Sequence, residues 1–353
     1  MPFEPQRTHE IDWVFSTKRG AAYATLVADV DLTQRIKLLG TDIGQLTRTQ
    51  LSDAQRMGKG SEFASTVREL TRDMRLARTC DLSSLMAGWA AAFGMGNVAT
   101  IQPNAGANPT VYRHTIKFSD PSVSKQVPVT TLFEKLSGQT PFLRKLESLA
   151  VSDFSISGRT REVAQLAINL VGSGKITTGS VTVPALSSLG LLDMGGMLFK
   201  FGPQAAAVDM SERLENFSVS IGQGLDEQNA YHPGSGLYRK RMWMGTRRAA
   251  FQFSAWVDVA STDVYDLFLA QTIREVSFKF VGDVITAGQP ETHDCEIKFP
   301  ACKFNAVQIG EQDGKLLYQV SCGEDDVYKG AGGTPDEPVQ IVVTNTTATY
   351  LAT

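Results

Sequence analysis

Residues that could perform chemistry are scattered singly along the chain. His9, His114, His232 and His293 lack the HxH or HExxH spacing that places two imidazoles on one zinc ion. Each histidine is therefore expected to be a surface or strand-end residue. His293 is followed by an acid and a thiol, but neighbouring residues of a strand point to opposite faces and do not converge on one substrate. The sequence predicts no metal centre, no cofactor site and no catalytic residues.

The cysteines indicate reduced thiols. They show neither CxxC spacing nor the density of a disulfide framework, and residues 1–13 are too polar for a signal peptide. A protein made in a cytoplasm keeps such thiols reduced. The longest apolar run, residues 85–96, is too short to span a bilayer, so no membrane contact is expected. The four cysteines are Cys80, Cys295, Cys302 and Cys322.

Gly94-Met95-Gly96 resembles the start of a phosphate-binding loop. Such a loop opens a helix, whereas this one follows a helical pattern, and no Lys-Ser/Thr pair stands at the required offset. The three residues are better explained as a helix C-cap and turn.

Residues 238–248 (YRKRMWMGTRR) form the most functional-looking segment. Basic residues interleaved with aromatic ones can bind single-stranded nucleic acid by charge and stacking. The same residue types are enriched in the cores of subunit interfaces, and a solvated loop leading into a strand is a third interpretation. We favour a subunit or ring interface, to which an earlier polar loop also contributes. The candidate residues are Met57, Lys59, Arg239, Lys240, Arg241, Trp243, Arg247 and Arg248.

Composition places the chain among globular proteins. It has 353 residues, 42 % of them hydrophobic and 20 % charged, which is enough for two compact units. The formal net charge of −3 gives no basic excess for neutralising phosphates. A near-neutral surface suits contact with other protein, or a surface past which nucleic acid slides.

Alternating apolar and polar residues predict a mainly β protein. Residues 251–259 alternate in this way, and residues 151–156 with 163–170 form a hairpin pattern around Ser157-Gly158-Arg159. Further strands are predicted at 111–118, 126–133, 275–284, 295–308, 315–322 and 338–350.

Two short helices are predicted, near residues 82–93 and 262–271. Each apolar stretch follows polar capping residues, and the first stops at Gly94.

The surroundings of the two helices indicate an internal duplication. Aligning Asp81 with Asp263 superposes the apolar positions of both helices, and in each copy an extended strand and a long polar loop precede the helix. The sequence therefore predicts two units, residues 1–203 and 204–353. The matched strands are 66–79 and 247–260, and the matched loops are 40–60 and 222–246.

The order of several short motifs resembles the major tail tube proteins of long-tailed, siphovirus-like bacteriophages. The likeness covers most of the chain, although each motif alone is weak. The motifs are GKGSEF at 58–63, DLSSLMAGWAAAFG at 81–94, YRHT at 112–115, PVTT at 128–131, the strand pair 149–174 that ends in VGSG, and the C-terminal residues 343–351.

This resemblance implies two tandem β-sandwich or partial-barrel units, each with one flanking helix and a long loop. Copies would join edge to edge into rings, and the rings would stack into a tube in the virion. A ring of about six units implies a trimer of the duplicated chain, with a hexamer as the alternative. The tube would assemble on a tape-measure protein and later conduct double-stranded DNA, and excess carboxylates in the lumen would repel phosphates.

Three other functions remain as alternatives to a tube subunit. A tail-completion, tube-initiator or baseplate-hub protein of the same fold would form single rings. A carbohydrate-binding β-sandwich would stack sugars on Trp89, Trp243 or Trp256, of which Trp89 is expected to be core. An enzyme would need a convergent polar site that the sequence does not display.

Overall fold

The computed structural model confirms a mainly β protein with two helices and two antiparallel sheets. It describes residues 10–20, 27–38, 45–52, 67–120, 126–137, 142–178, 181–204, 206–226, 238–257, 263–312, 314–328 and 337–352.

Strands make up most of the regular structure in these ranges. In chain order they are β1 (Glu10–Phe15), β2 (Gln34–Lys37), β3 (Gln45–Ser52), β4 (Val67–Asp81), β5 (Gly96–Ile101), β6 (Tyr112–Phe118), β7 (Thr130–Ser137), β8 (Phe142–Arg159), β9 (Gln165–Gly172), β10 (Ile176–Thr178), β11 (Met197–Gly202), β12 (Val208–Asp209), β13 (Leu214–Gly222), β14 (Arg248–Trp256), β15 (Arg274–Val284), β16 (Thr292–Cys302), β17 (Ala306–Gln312), β18 (Lys315–Cys322), β19 (Val327–Tyr328) and β20 (Gln340–Asn345). Helix α1 (Ser84–Met95) follows β4, and helix α2 (Asp263–Leu269) follows β14.

The first sheet is built around the long strand β8. Its C-terminal half pairs with β9 on one side and with β13 on the other, which gives the eight-stranded order β3-β4-β9-β8-β13-β14-β18-β17. Its N-terminal half pairs instead with β7 and β10, and β7 continues to β1 and β2. The change of partners occurs near Ser148, whose φ of 53° is left-handed. We call the eight strands the main sheet.

The second sheet has the order β12-β11-β15-β16-β20-β6-β5, with β19 beside β16. It lies across the core from the main sheet. The C-terminal strand β20 lies between β16 and β6, so it connects the end of the chain to the β5–β6 hairpin.

One hydrophobic core joins both sheets and helix α1. Phe199 of the second sheet packs 5.0 Å from Phe253 of the main sheet, measured between ring centroids. All twelve residues of α1 are buried. Trp89 is fully buried, as predicted, and its indole donates to the Ser16 carbonyl at 3.0 Å. Burying each such aromatic side chain contributes about 2 kcal/mol.

Helix α1 is confirmed with corrected bounds. The Ser83 hydroxyl caps it by accepting from the Met86 amide at 3.2 Å. The helix does not stop at Gly94, because Gly96, with a φ of 85°, supplies the left-handed C-cap two residues later. Gly94 is needed for packing instead: a Cβ there would lie 2.7 Å from the Phe154 ring.

Most predicted strands are present, but several bounds differ. The strand predicted at 338–350 is β20, which begins at Gln340 and ends at Asn345. Residues 295–308 are divided, since β16 ends at Cys302 and β17 begins at Ala306. The strand predicted at 126–133 begins only at Thr130. Within the predicted loop 40–60, residues 45–52 form strand β3.

The predicted boundary at residue 203 separates β11 from β12, which pair with each other. Both sheets contain strands from both sides of this boundary, and both sides contribute to the single large core.

Candidate functional site

On the six strands β8, β9, β13, β14, β17 and β18, the face of the main sheet that points away from the core carries mostly small uncharged side chains. Paired residues share a face. Across the β8–β13 pairing Ser155 lies opposite Ser220 and Ser157 lies opposite Ser218, and Ser218 in turn lies opposite Gln252. This neutral face comprises Ser155, Ser157, Gln165, Ala167, Asn216, Ser218, Ser220, Ala250, Gln252, Ser254, Gln308, Gln319 and Ser321.

A groove of about 290 Å³ lies on the neutral face, over strands β13, β14, β17 and β18. Asn216, Gln252, Gln308 and Gln319 line it, and no charged residue does so among the described residues. The groove offers amide and hydroxyl groups for contact.

Charged residues lie at the margins of the neutral face and have partners. Asp153 accepts hydrogen bonds from the Ser152 hydroxyl at 2.8 Å and the Asn169 amide at 2.5 Å. Arg159 lies 3.5 Å from Glu215, and Arg248 lies 3.3 Å from Glu324. The guanidinium groups of Arg159 and Arg248 are therefore offset by nearby carboxylates. Strand β4 adds the charged residues Arg75 and Asp81 beside β9, with Asp81 opposite Gln165.

The two outer strands of the main sheet, β3 and β17, each have one neighbour among the described residues. β3 pairs with β4, and β17 pairs with β18. Each strand thus presents one row of backbone N–H and C=O groups to another strand, the arrangement that allows a sheet to extend into a second chain.

The main sheet repeats one arrangement twice. The order β3-β4-β9-β8 in its first half corresponds to β13-β14-β18-β17 in its second half. In each half the helix follows the second strand of this order, and the last two strands form a hairpin. The halves are joined edge to edge by β8 and β13.

The register of pairing repeats as well. In the first half Leu170 lies between Val151 and Leu76, and in the second Val320 lies between Val307 and Phe253. All six side chains are buried. We call these two sets of three the anchor rows, because they align the halves of the sheet residue by residue.

The predicted basic segment does not form one surface. Arg239 is only 4 % exposed, and its guanidinium donates to the Gly172 carbonyl at 3.3 Å. Arg247 is held against Ser119 and the Phe118 ring, and burial lowers the pKa of its guanidinium. Arg248 lies on the margin of the neutral face with Glu324.

The remaining candidates of this segment are Lys240, Arg241 and Trp243. Both cations are exposed, and the Arg241 guanidinium lies 5.9 Å from the centre of the half-buried Trp243 ring. A subunit contact at these three residues stays a prediction. Met57 and Lys59 lie outside the described residues.

Of the tryptophans named as possible sugar platforms, Trp89 is buried, and Trp243 and Trp256 each have a cation over the ring. Trp89 is in the core, and a Lys315 ammonium lies 5.7 Å over the Trp256 ring. The Arg241 guanidinium lies in the same way over the Trp243 ring, and both rings are half-buried.

A serine and a histidine that are 209 positions apart meet at the start of α1. The Ser84 hydroxyl lies 2.8 Å from His293 Nδ1, and burial lowers the pKa of that imidazole. Ser84 is fully buried, and Gly190 closes the site, since a Cβ at that position would overlap the His293 ring. The pair has no room for a substrate and instead attaches the segment around Gly190 to the helix.

The histidine prediction is partly wrong. His114 is fully buried within β6, because long-range packing covers that strand. His293 is also buried, but it is the second residue of β16 and therefore a strand-end residue as predicted. His114 Nε2 lies 2.8 Å from the Thr347 carbonyl, and burial lowers its pKa. His9 and His232 lie outside the described residues.

A second group that sequence reasoning missed is a buried charge cluster between β1, β4, β7 and β8. Glu134 accepts from Arg78 at 3.0 Å, from Arg144 at 2.7 Å and from the Trp13 indole at 3.3 Å. Its role is structural, because it is fully buried. No group of three or more potential metal ligands occurs within the described part of the chain.

All four cysteines are buried free thiols. No helix in the described ranges is long and apolar enough to cross a membrane.

No protein-family model matches the chain, and no curated protein matches it.

Proposed function

We propose that the protein is a structural subunit that closes into rings and stacks into a tube, the major tail tube protein of a long-tailed bacteriophage. The main sheet is the observation that carries this proposal. It already contains one edge-to-edge junction between two equivalent halves, and its outer strands are the counterparts of the two strands that form this junction.

A further copy can therefore continue the sheet by the same kind of junction. Closing the series into a ring pairs both edges of every main sheet, so that neither is left for aggregation. Residues 1–203 and 204–353 then act as two tandem tube-type units, each with one flanking helix.

The number of strands in a closed ring sets its diameter. Three main sheets supply about 24 strands, and a spacing of about 4.8 Å gives a circumference of about 115 Å and a diameter of about 37 Å, which strand tilt enlarges. Six copies would double the diameter. Because three copies of the duplicated chain already supply a ring of about six units, we prefer a trimer with pseudo-sixfold symmetry to a hexamer.

The neutral face would line the lumen. A DNA duplex binds protein mainly through cations that neutralise phosphates. On this face the guanidinium groups of Arg159 and Arg248 already have carboxylate partners. The physical reason for free passage is then neutrality, and not the excess of carboxylates expected from the net charge.

In this proposal the protein's partners are its own copies, a tape-measure protein during assembly and double-stranded DNA during ejection. It is made in the host cytoplasm and resides in the virion. It performs no catalysis.

Electron microscopy of the purified protein at rising concentration tests the proposal. We expect rings with threefold averages and a central hole, and stacked tubes at high concentration. Rings that never stack would favour the tube-initiator, tail-completion or hub alternative. Uniform monomers at every concentration, also in the presence of preformed tube ends, would refute a ring-forming subunit.

A further inference from the structure

We infer that the edge of β17 and the exposed side of helix α2 form a docking surface that receives β3 of a second copy, in the register of the β8–β13 junction within one chain. This inference rests on the proposed function and adds to it which strands meet, in which register and under which helix.

The counterpart of Ser155 on the free edge is Gly310. Ser155 lies opposite Ala167 in the β8–β9 hairpin, and Gly310 lies opposite Leu317 in the β17–β18 hairpin. Ala167 precedes Leu170 by three residues, and Leu317 precedes Val320 by three residues. Leu170 and Val320 are the middle members of the two anchor rows. The two positions are therefore equivalent, although β8 has a bulge between Val151 and Asp153 that β17 lacks.

The counterpart of Ser220 on the other edge is Thr47. Ser220 lies opposite Ala250 of β14, and Thr47 lies opposite Asp73 of β4. Ala250 precedes Phe253 by three residues, and Asp73 precedes Leu76 by three residues. Phe253 and Leu76 are the anchor-row members on these two strands. Because Ser155 pairs with Ser220 inside the chain, Gly310 should pair with Thr47 of the next copy.

Helix α2 supports this choice of occupant. Helix α1 packs on β8 and also contacts β13, and all of its residues are buried. Helix α2 packs on β17, the counterpart of β8, but Leu269 is 63 % exposed, and on the adjacent edge Ile309 is 54 % exposed. The position that β13 fills beside α1 is the position that β3 of a second copy would fill beside α2.

A second copy fits this surface better than a foreign chain. Its outer strand β3 is the counterpart of β13, which the other half of the same sheet already accepts. The matching edge strand is thus present in every copy.

Cysteine pairs test the register directly. In the double variant Thr47→Cys/Gly310→Cys, a mild copper(II) oxidant takes two electrons from two thiols, which lose two protons and form one disulfide. The two edges of one copy lie about 34 Å apart across eight strands, so this disulfide can form only between copies. A Cβ at Gly310 meets its nearest atom, Gln319 Nε2, at 3.5 Å, so the side chain is accommodated.

We expect oxidised assemblies to give covalent dimers and trimers on a denaturing gel, with the trimer as the largest product. Thr49→Cys/Gln308→Cys, two residues away in the same register, is a second variant with the same expectation. Ser155→Cys/Ser220→Cys is the matched positive control, because its register is observed and its disulfide is internal. Thr47→Cys/Ile309→Cys is the off-register control and should remain uncoupled.

The outcomes separate this inference from the proposed function. If rings are seen while both on-register variants stay monomeric on the gel and the internal control oxidises, the inference is wrong and the proposed function stands. Coupling of the off-register pair alone would also refute the inference. Absence of both rings and interchain disulfides would overturn the proposed function, and the inference with it.

Discussion

Replacing Glu134 by glutamine tests how much the buried charge cluster stabilises the fold. Glu134 accepts from Arg78 at 3.0 Å and from Arg144 at 2.7 Å, and these arginines are only 7 % and 9 % exposed. Glutamine preserves the size of the side chain but removes this counter-charge from both guanidinium groups.

The expected cost follows from burial. Removing one partner of a buried ion pair costs about 3–5 kcal/mol, because a charge remains in a poorly solvated site. The total unfolding free energy of a domain is about 5–15 kcal/mol, so the variant should lose a large part of its stability. It should fold with a clearly lower urea midpoint.

Urea unfolding followed by tryptophan fluorescence measures this effect. Trp13 donates to Glu134 and lies 6.4 Å from Trp89, so its emission reports on the cluster. Glu324→Gln is the matched control, since its partner Arg248 is 59 % exposed and such pairs contribute about 0–1 kcal/mol. Equal losses in the two variants would refute the argument from burial.

Three further predictions concern assembly, the neutral face and pH. Leu269 of α2 is 63 % exposed, so Leu269→Asp should abolish rings in sedimentation velocity while leaving the urea midpoint unchanged. If the variant forms rings at the same protein concentration as the wild type, the proposed docking surface is wrong. Ser157→Lys should make assembled tubes retain duplex DNA in a salt-dependent manner, measured by filter binding, whereas Ile101→Lys on the second sheet should not; equal retention by both would argue against a lumenal neutral face. Burial lowers the pKa of His293, so the unfolded chain binds its proton first and stability should fall by up to about 1.4 kcal/mol per pH unit below about pH 6.5. Urea midpoints across this range should depend less steeply on pH in His293→Gln, where buried His114 still contributes, and parallel curves for variant and wild type would contradict the assignment.

The local elements were predictable because their signals are local. Lys315–Cys322 was predicted with its observed bounds, and the apolar run capped by Ser83 became α1. The errors arise where local patterns are incomplete. The break between Cys302 and Ala306 lies inside a continuous apolar pattern, and β3 lies inside a polar segment.

The candidate site was only partly predictable. The residue type of Arg239 predicts an interface residue, but its side chain is buried. Its guanidinium donates to the Gly172 carbonyl, and its backbone amide donates to the Ser173 carbonyl. The neutral face left no distinct motif, because serine, glutamine and alanine are ordinary on any solvated strand. It became visible only when the register aligned Ser157, Ser218 and Gln252.

The sequence by itself determined that the chain is mainly β, that it has two short helices and that similar surroundings recur around them. Periodicity and capping decide these features within about a dozen residues. Only the tertiary structure decided that β8 pairs with β13, that Ser84 meets His293 and that Glu134 gathers two arginines. These pairings join residues far apart in the chain, where the burial of whole faces selects one partner among many strands with the same alternation.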